Sequence, residues 1–220
     1  MFYGDTVSNT DGVNVVSVAG GPPTRLCEKC GGWVWDWSPD RRWLLTYRQG
    51  KTTVATTVHD LETGKSSLFL ERPPTDLYEF RWSPDGRWLS FGTSDPQGGN
   101  NRRVYVAPFT GDVGPGEDSW IPITDGSTFD DKLRWSPNGN WIYALSNRDG
   151  FRCIWAYRLD PQSRKPAGAP LAVFHSHGAR LSVNNANGVS QELSVARDKI
   201  VLNLGEITGN IWMTELQEKK

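Results

Sequence analysis

The sequence has few cysteines, no surplus of either charge and no long apolar run, and each shortage closes off a class of function. Three cysteines in 220 residues, Cys27, Cys30 and Cys153, cannot build a disulfide framework. Cys27-Glu28-Lys29-Cys30 has zinc-pair or redox spacing. A zinc site would need a second such pair or matching histidines, and a thioredoxin-like motif would need a βαβ setting. Neither context is present, so the pair reads as two small thiols at a strand end or an opportunistic disulfide. Lys plus Arg number 24 against 25 Asp plus Glu, a net charge of −1. That balance leaves no basic footprint for nucleic acid, and Arg102-Arg103 and Lys219-Lys220 are too short to change it. No apolar run approaches the roughly 18 residues a membrane helix needs, so membrane insertion is not expected. Met1-Phe-Tyr-Gly-Asp5 lacks the basic and apolar regions of a signal peptide and reads as the inside of a strand. No serine lies in Gly-x-Ser-x-Gly, the elbow of an α/β hydrolase. Gly20-Gly21, Gly31-Gly32 and Gly98-Gly99 fall in turns, not in phosphate-binding loops.

What the chain has in abundance is tryptophan (11), glycine (23) and proline (14), a combination that points to many short strands joined by tight turns. Three segments align: Trp33-Val-Trp-Asp-Trp37-Ser38-Pro39-Asp40, Tyr78-Glu-Phe-Arg-Trp82-Ser83-Pro84-Asp85-Gly86, and Leu133-Arg-Trp135-Ser136-Pro137-Asn138-Gly139. Their marker tryptophans Trp37, Trp82 and Trp135 are 45 and 53 positions apart. A worn fourth copy runs Leu193 to Asp198 and continues into Ile200-Val-Leu-Asn-Leu204. In each copy apolar residues alternate up to the turn, which is the period of a strand with one buried face. Proline then presets the turn, Asp or Asn bonds back to the backbone and Gly takes the left-handed position. In the first copy Arg41 stands where Gly is expected, which predicts a reshaped turn.

A second strand (Trp43–Tyr47, Trp88–Phe91, Trp141–Leu145), a third (Val54–Val58, Val104–Ala107, Cys153–Tyr157) and a fourth (Ser67–Leu70, Trp120–Ile123, Leu171–Phe174) complete each unit. The unit is therefore a four-stranded antiparallel meander. A lone meander leaves a face uncovered and an edge open. Stacking meanders face to face around an axis solves this, giving an all-β propeller with tryptophans packed between blades. The expected division is a partial blade at 1–31, blades at about 32–74, 75–126 and 127–178, and an incomplete last blade at 179–220. Because the first lacks an inner strand and the last an outer one, the expectation is a C-terminal portion of a longer protein, or an open arc that self-associates through its blade edges.

The Trp-Ser-Pro-Asp-Gly turn, followed by an apolar strand and an Ile/Val-Tyr/Trp-Val type third strand, resembles the TolB-like (WD-repeat-like) propeller repeat of bacteria, over nearly the whole chain. Residues Ile200 to Met213 resemble a final blade of multidomain members. The resemblance implies a propeller scaffold that binds protein or peptide partners, or the sensory part of a larger bacterial protein, with an extracytoplasmic setting common among relatives. Related blades also occur beside prolyl oligopeptidase-type peptidases and in sugar lyases, so a remnant enzyme and a glycan-binding module are the alternatives.

Chemistry-bearing residues are sparse. His175-Ser-His177 sets two imidazoles on one face of a strand, as adjacent metal ligands would be, but no third ligand is evident. His59, beside Asp60, is a candidate to converge with them on the axis, against solvated strand-end histidines as the plainer reading. Asp130-Asp131 and Glu117-Asp118 read as surface caps near turns. No catalytic residue, cofactor or metal is assigned. The long polar loops Asp95 to Arg103, Gly111 to Ser119 and Ser182 to Gln191 are the places to look for a partner.

Overall fold

The computed structural model describes residues 12–73, 77–94, 101–188, 191–209 and 213–214, together with the backbone of residues 2–4. The first sheet holds β1 (Phe2–Gly4), β2 (Val13–Val15) and β3 (Thr24–Cys27) in that order. Three four-stranded antiparallel meanders follow. The first is β4 (Trp33–Trp37), β5 (Trp43–Gln49), β6 (Val54–Asp60) and β7 (Ser66–Arg72). The second is β8 (Leu77–Trp82), β9 (Trp88–Ser94), β10 (Arg102–Pro108) and the short β11 (Ile121–Pro122). The third is β12 (Asp130–Trp135), β13 (Trp141–Ser146), β14 (Cys153–Arg158) and β15 (Leu171–Phe174). Beyond them β16 (Leu181–Ser182) pairs with β19 (Gly205–Glu206), and β17 (Leu193–Val195) with β18 (Ile200–Leu202). Among the described residues there is no α-helix and the sheets do not close a ring. The expected third strand of the last blade, Asn210 to Leu216, lies outside the described residues apart from 213–214.

The first strands of successive meanders lie side by side, β4 against β8, β8 against β12 and β12 against β17. Between each pair of neighbouring sheets lies an apolar core. Leu45, Val58 and Phe69 meet Phe80, Trp82, Leu89 and Phe91 in the largest, with Trp35, Trp43 and Trp120 at its margin. Phe80 and Phe91 stack with ring centroids 4.9 Å apart. Val104, Val106 and Ile123 meet Leu133, Trp135, Ile142 and Tyr157 in the next. Leu145 and Ile154 meet Val183 and Leu193 in a third, and Val13 and Cys30 meet Leu44 in a fourth. Each fully buried side chain of this kind contributes about 1.5–3 kcal/mol. The stack of sheets is thus held by what lies between sheets, as a propeller requires. Most of the tryptophans serve these cores; among the described residues Trp33 is the exposed one.

The repeated turn has one geometry in all three copies. Ser38, Ser83 and Ser136 hydroxyls donate to Asp40, Asp85 and Asn138 at 2.5, 2.6 and 2.7 Å, and accept from the N–H of Trp43, Trp88 and Trp141 at 2.8, 3.0 and 3.0 Å. The left-handed position is filled by Gly86 (φ 70°), Gly139 (φ 71°) and, in the first copy, Arg41 (φ 65°). The expected reshaping at Arg41 does not occur. Its N–H makes the same 2.9 Å bond to the Ser carbonyl as its glycine counterparts, so the serine–aspartate frame carries the strain of a side chain there. The turns also abut: a Cβ on Gly86 would lie 3.7 Å from Pro39, and one on Gly139 3.7 Å from Pro84.

Candidate functional site

The strands β4, β8 and β12 each carry a bulge, between Val34 and Asp36, Tyr78 and Arg81, and Asp131 and Arg134. Within the last two, Glu79 and Lys132 adopt φ 56°. A bulge re-aims side chains, and here it turns the polar residues of the alternating pattern toward the next strand. Asp36 accepts from its neighbour Trp37 N–H and, across the blade boundary, from Trp82 N–H, each at 2.9 Å. Glu79 repeats the cross-blade bond, accepting from Leu133 N–H at 2.9 Å. Trp135 Nε1 donates to the Arg81 carbonyl at 3.2 Å, and Arg81 donates to the Trp35 carbonyl. Lys132 lies 3.7 Å from Glu79 and 3.9 Å from Glu192, and Arg134 bonds Glu192 at 2.8 Å. Three carboxylates and three cations along these strands therefore balance one another. Burial pushes the Asp36 carboxyl above its ordinary range, against the pull of Arg81, and burial likewise lowers Arg134.

A second cluster gathers around the start of β12. Asp130 and Asp131 are buried, not surface caps near a turn as expected from the sequence. Asp130 accepts from the Tyr157 hydroxyl at 2.9 Å and from Thr128 at 2.8 Å, and its carbonyl accepts from the Tyr78 hydroxyl at 3.0 Å. Asp131 is bonded to the buried Arg152, which also reaches Gln191 at 3.1 Å. Desolvation outweighs Arg152 and raises the Asp131 carboxyl above its usual range. The correction has a simple cause: these residues begin an inner strand, where a blade on either side excludes water. Glu117 and Asp118, by contrast, are exposed on a short 3-10 turn.

The histidines divide. His59 does not converge with the others; it lies buried on β6 between Thr46 Oγ1 at 2.8 Å and Ser66 Oγ at 2.7 Å, and burial lowers its pKa to about 4. His175 and His177 do come together, each 2.9 Å from Asp149 Oδ2. Cys27 and Cys30 form a disulfide. Of the three loops singled out, residues 95–100 lie outside the described residues. Gly111 to Ser119 is pinned to the preceding blade through Lys65–Asp112 and Arg72–Glu117, both at 2.5 Å. Gln191 anchors the third loop through Val183 and Ala186 carbonyls at 3.0 and 3.2 Å.

The remaining feature is apolar. Of the thirteen large apolar side chains exposed among the described residues, seven fall between 171 and 207: Leu171, Val173, Phe174, Leu181, Val201, Leu204 and Ile207. Val173 and Phe174 line a cleft of about 430 Å3 with Tyr143, Ile200 and Leu202, rimmed by Arg197, Asp198 and Lys199. The sequence marks Leu171–Phe174 only as the fourth strand of its unit, and its uniformly apolar residues give no sign that all four are exposed.

Solved structures share this course of chain. A TolB from Acinetobacter baumannii matches with a TM-score of 0.60 at 16% identity, over 93% of this chain and 48% of its own length. A structure described as putative TolB from Agrobacterium tumefaciens matches with a TM-score of 0.57 at 18% identity, over 79% of this chain and 60% of its own. The fold is that of a TolB-like β-propeller. Oligopeptidase B from Trypanosoma brucei shares it with a TM-score of 0.56 at 14% identity, over 82% of this chain and 26% of the enzyme. No protein-family model matches the chain. The chain spans 60% and 48% of the two TolB structures. At these identities the likeness carries the TolB-like fold and no activity. Among the described residues no helix is long and apolar enough to cross a membrane.

Proposed function

We propose that this chain is a non-catalytic TolB-like scaffold that binds protein or peptide partners at the apolar face beside β15 and β18. The observation that carries the reading is the concentration of exposed apolar side chains between residues 171 and 207, two of which, Val173 and Phe174, line a cleft. An apolar patch rimmed by charged residues marks an interaction surface on a soluble domain. The axial charges support the same reading from the other side. Asp36 and Glu79 are engaged with the backbone of the next blade, and Arg134 and Lys132 with Glu192, so these groups serve blade cohesion rather than proton transfer.

The test is a peptide selection. Peptides enriched from a random displayed library against the folded chain are measured by calorimetry on the wild type and on Val173→Asp/Phe174→Asp. Loss of two anchors from an interface centre costs about 2 kcal/mol or more, roughly a 30-fold weakening, with unchanged circular dichroism. Selected peptides that bind both proteins equally overturn the site. Turnover of peptide or polysaccharide substrates by the purified chain, abolished by Asp36→Asn or Glu79→Gln, overturns the non-catalytic reading.

A further inference from the structure

Beside the apolar cleft, at the end of the β13–β14 connection, four side chains of metal-ligating type meet. They are Asp149, Cys153, His175 and His177, and one donor atom from each lies within 4.8 Å of all the others. The backbone brings them together for local reasons. The turn after β13 closes with Gly150 N–H on the Asn147 carbonyl at 2.9 Å, and Asp149 Oδ1 accepts from Phe151 N–H at 3.3 Å. Cys153 opens β14, and the pairing of Ile154 with Phe174 sets the residue after Phe174 beside it. Between the two histidines, Ser176 is buried; its N–H donates to Cys153 Sγ at 3.3 Å and its hydroxyl accepts from Val183 N–H at 2.8 Å. Ser176 therefore faces inward and its two neighbours face together toward Asp149 and Cys153.

The four donors are close enough to share one ion after small side-chain shifts, and the spacing of the two imidazoles already matches. His175 Nδ1 and His177 Nε2 each lie 2.9 Å from the same carboxylate oxygen and 3.3 Å from one another. A tetrahedral ion holding nitrogen and oxygen ligands at about 2.0–2.1 Å separates them by about 3.3 Å. The rings are held in place by neighbours: Phe151 stacks on His177 at 4.3 Å and Trp155 meets His175 edge-on at 6.2 Å. The donor set of one thiolate, two imidazoles and one carboxylate is borderline in softness and four in number, which selects zinc over calcium or magnesium. Asp149 and the imidazoles reach solvent while Cys153 does not, so the ion has an entry path and a dry thiolate floor.

We propose that Asp149, Cys153, His175 and His177 form a four-coordinate structural zinc site that fastens the end of β15 to the β13–β14 turn. Binding displaces the Cys153 proton to solvent. Each imidazole coordinates through a lone pair, its N–H moving to the opposite ring nitrogen.

The full chain, prepared without reductant so that the Cys27–Cys30 disulfide leaves Cys153 as the single thiol, is titrated with zinc and then with cobalt(II). The expected result is one ion per chain, a four-coordinate cobalt spectrum with a thiolate charge-transfer band, and a melting temperature that rises with zinc and returns with chelator. His175→Ala/His177→Ala, at exposed positions that leave folding intact, is expected to weaken zinc at least about 100-fold. Cys153→Ser, if it folds, removes the charge-transfer band. No saturable binding, an octahedral cobalt spectrum without that band, or unchanged affinity in the histidine double variant overturns the proposal.

Discussion

His59 offers the sharpest quantitative test, because its environment is built for the neutral ring. It sits on β6 with Thr46 of β5 on one nitrogen and Ser66 of β7 on the other, at 2.8 and 2.7 Å. Neutral imidazole has one donor and one acceptor nitrogen, and two hydroxyls can complement both. Protonation forces one hydroxyl to reverse and places a charge where water is excluded, so the pKa is lowered from 6.5 to about 4. The unfolded chain then takes up its proton first: stability is full above pH 6.5 and is lost as the pH falls toward 4. At about 1.4 kcal/mol per unit, this one ring costs the fold about 3 kcal/mol by pH 4. Asp60 and Asp85, held at about 2, lose their contributions as the pH falls from the ordinary carboxylate value toward 2, and the raised Asp36 and Asp131 carboxyls titrate alike in both proteins, so the comparison with His59→Gln isolates the ring. Urea unfolding at pH 7.5, 6, 5 and 4 on the wild type and on His59→Gln reads the difference. Gln loses stability at pH 7.5 but follows a shallower slope, so the two curves converge toward pH 4. Parallel curves between pH 6.5 and 4 would refute the reasoning.

Other perturbations follow from the same packing. Arg152→Ala leaves the buried Asp131 only the more distant Arg102, at 3.6 Å, and is expected to cost about 3 kcal/mol; Asp131→Asn/Arg152→Met, measured in the same urea titration, recovers most of it. Gly92→Ala on β9 would place a Cβ 2.0 Å from the Tyr78 ring; calorimetry should show a loss of about 3 kcal/mol. Phe80→Ala, at the largest inter-sheet core, is expected to cost about 3–5 kcal/mol. Arg41→Gly relieves a left-handed side chain and raises the melting temperature, by a stabilisation of at most about 1 kcal/mol.

The architecture was legible because the repeat writes each level twice. The alternation of Tyr78, Phe80 and Trp82 gives the buried face, and Ser83-Pro84-Asp85-Gly86 gives the turn that follows it. What was not legible depended on which neighbour each residue meets. Asp130-Asp131 has a surface composition, and only the blades on both sides bury it. Asp36, Glu79, Arg81, Lys132, Arg134 and Glu192 each lie one or three residues before the marker position of their repeat. Aligning the copies could have found them; what pairs them is a bulge that a two-residue period does not express. His175 and His177 were visible as a pair, but Asp149 and Cys153 lie more than twenty residues earlier and reach them only through the β14–β15 register. Arg41 was misread because the serine–aspartate frame of its turn, rather than the glycine, fixes the backbone path.

In the proposed reading, the polar groups of the inner strands hold neighbouring blades together. Amide hydrogen exchange at Trp82 and Leu133, resolved by NMR in the wild type and in Asp36→Ala and Glu79→Ala, tests it directly, because these amides donate across blade boundaries to those carboxylates. The account predicts slow exchange in the wild type, acceleration at Trp82 in the first variant and at Leu133 in the second, and a lower global stability in both. Fast exchange at both amides in the wild type, or variants that leave exchange and stability unchanged, would contradict it.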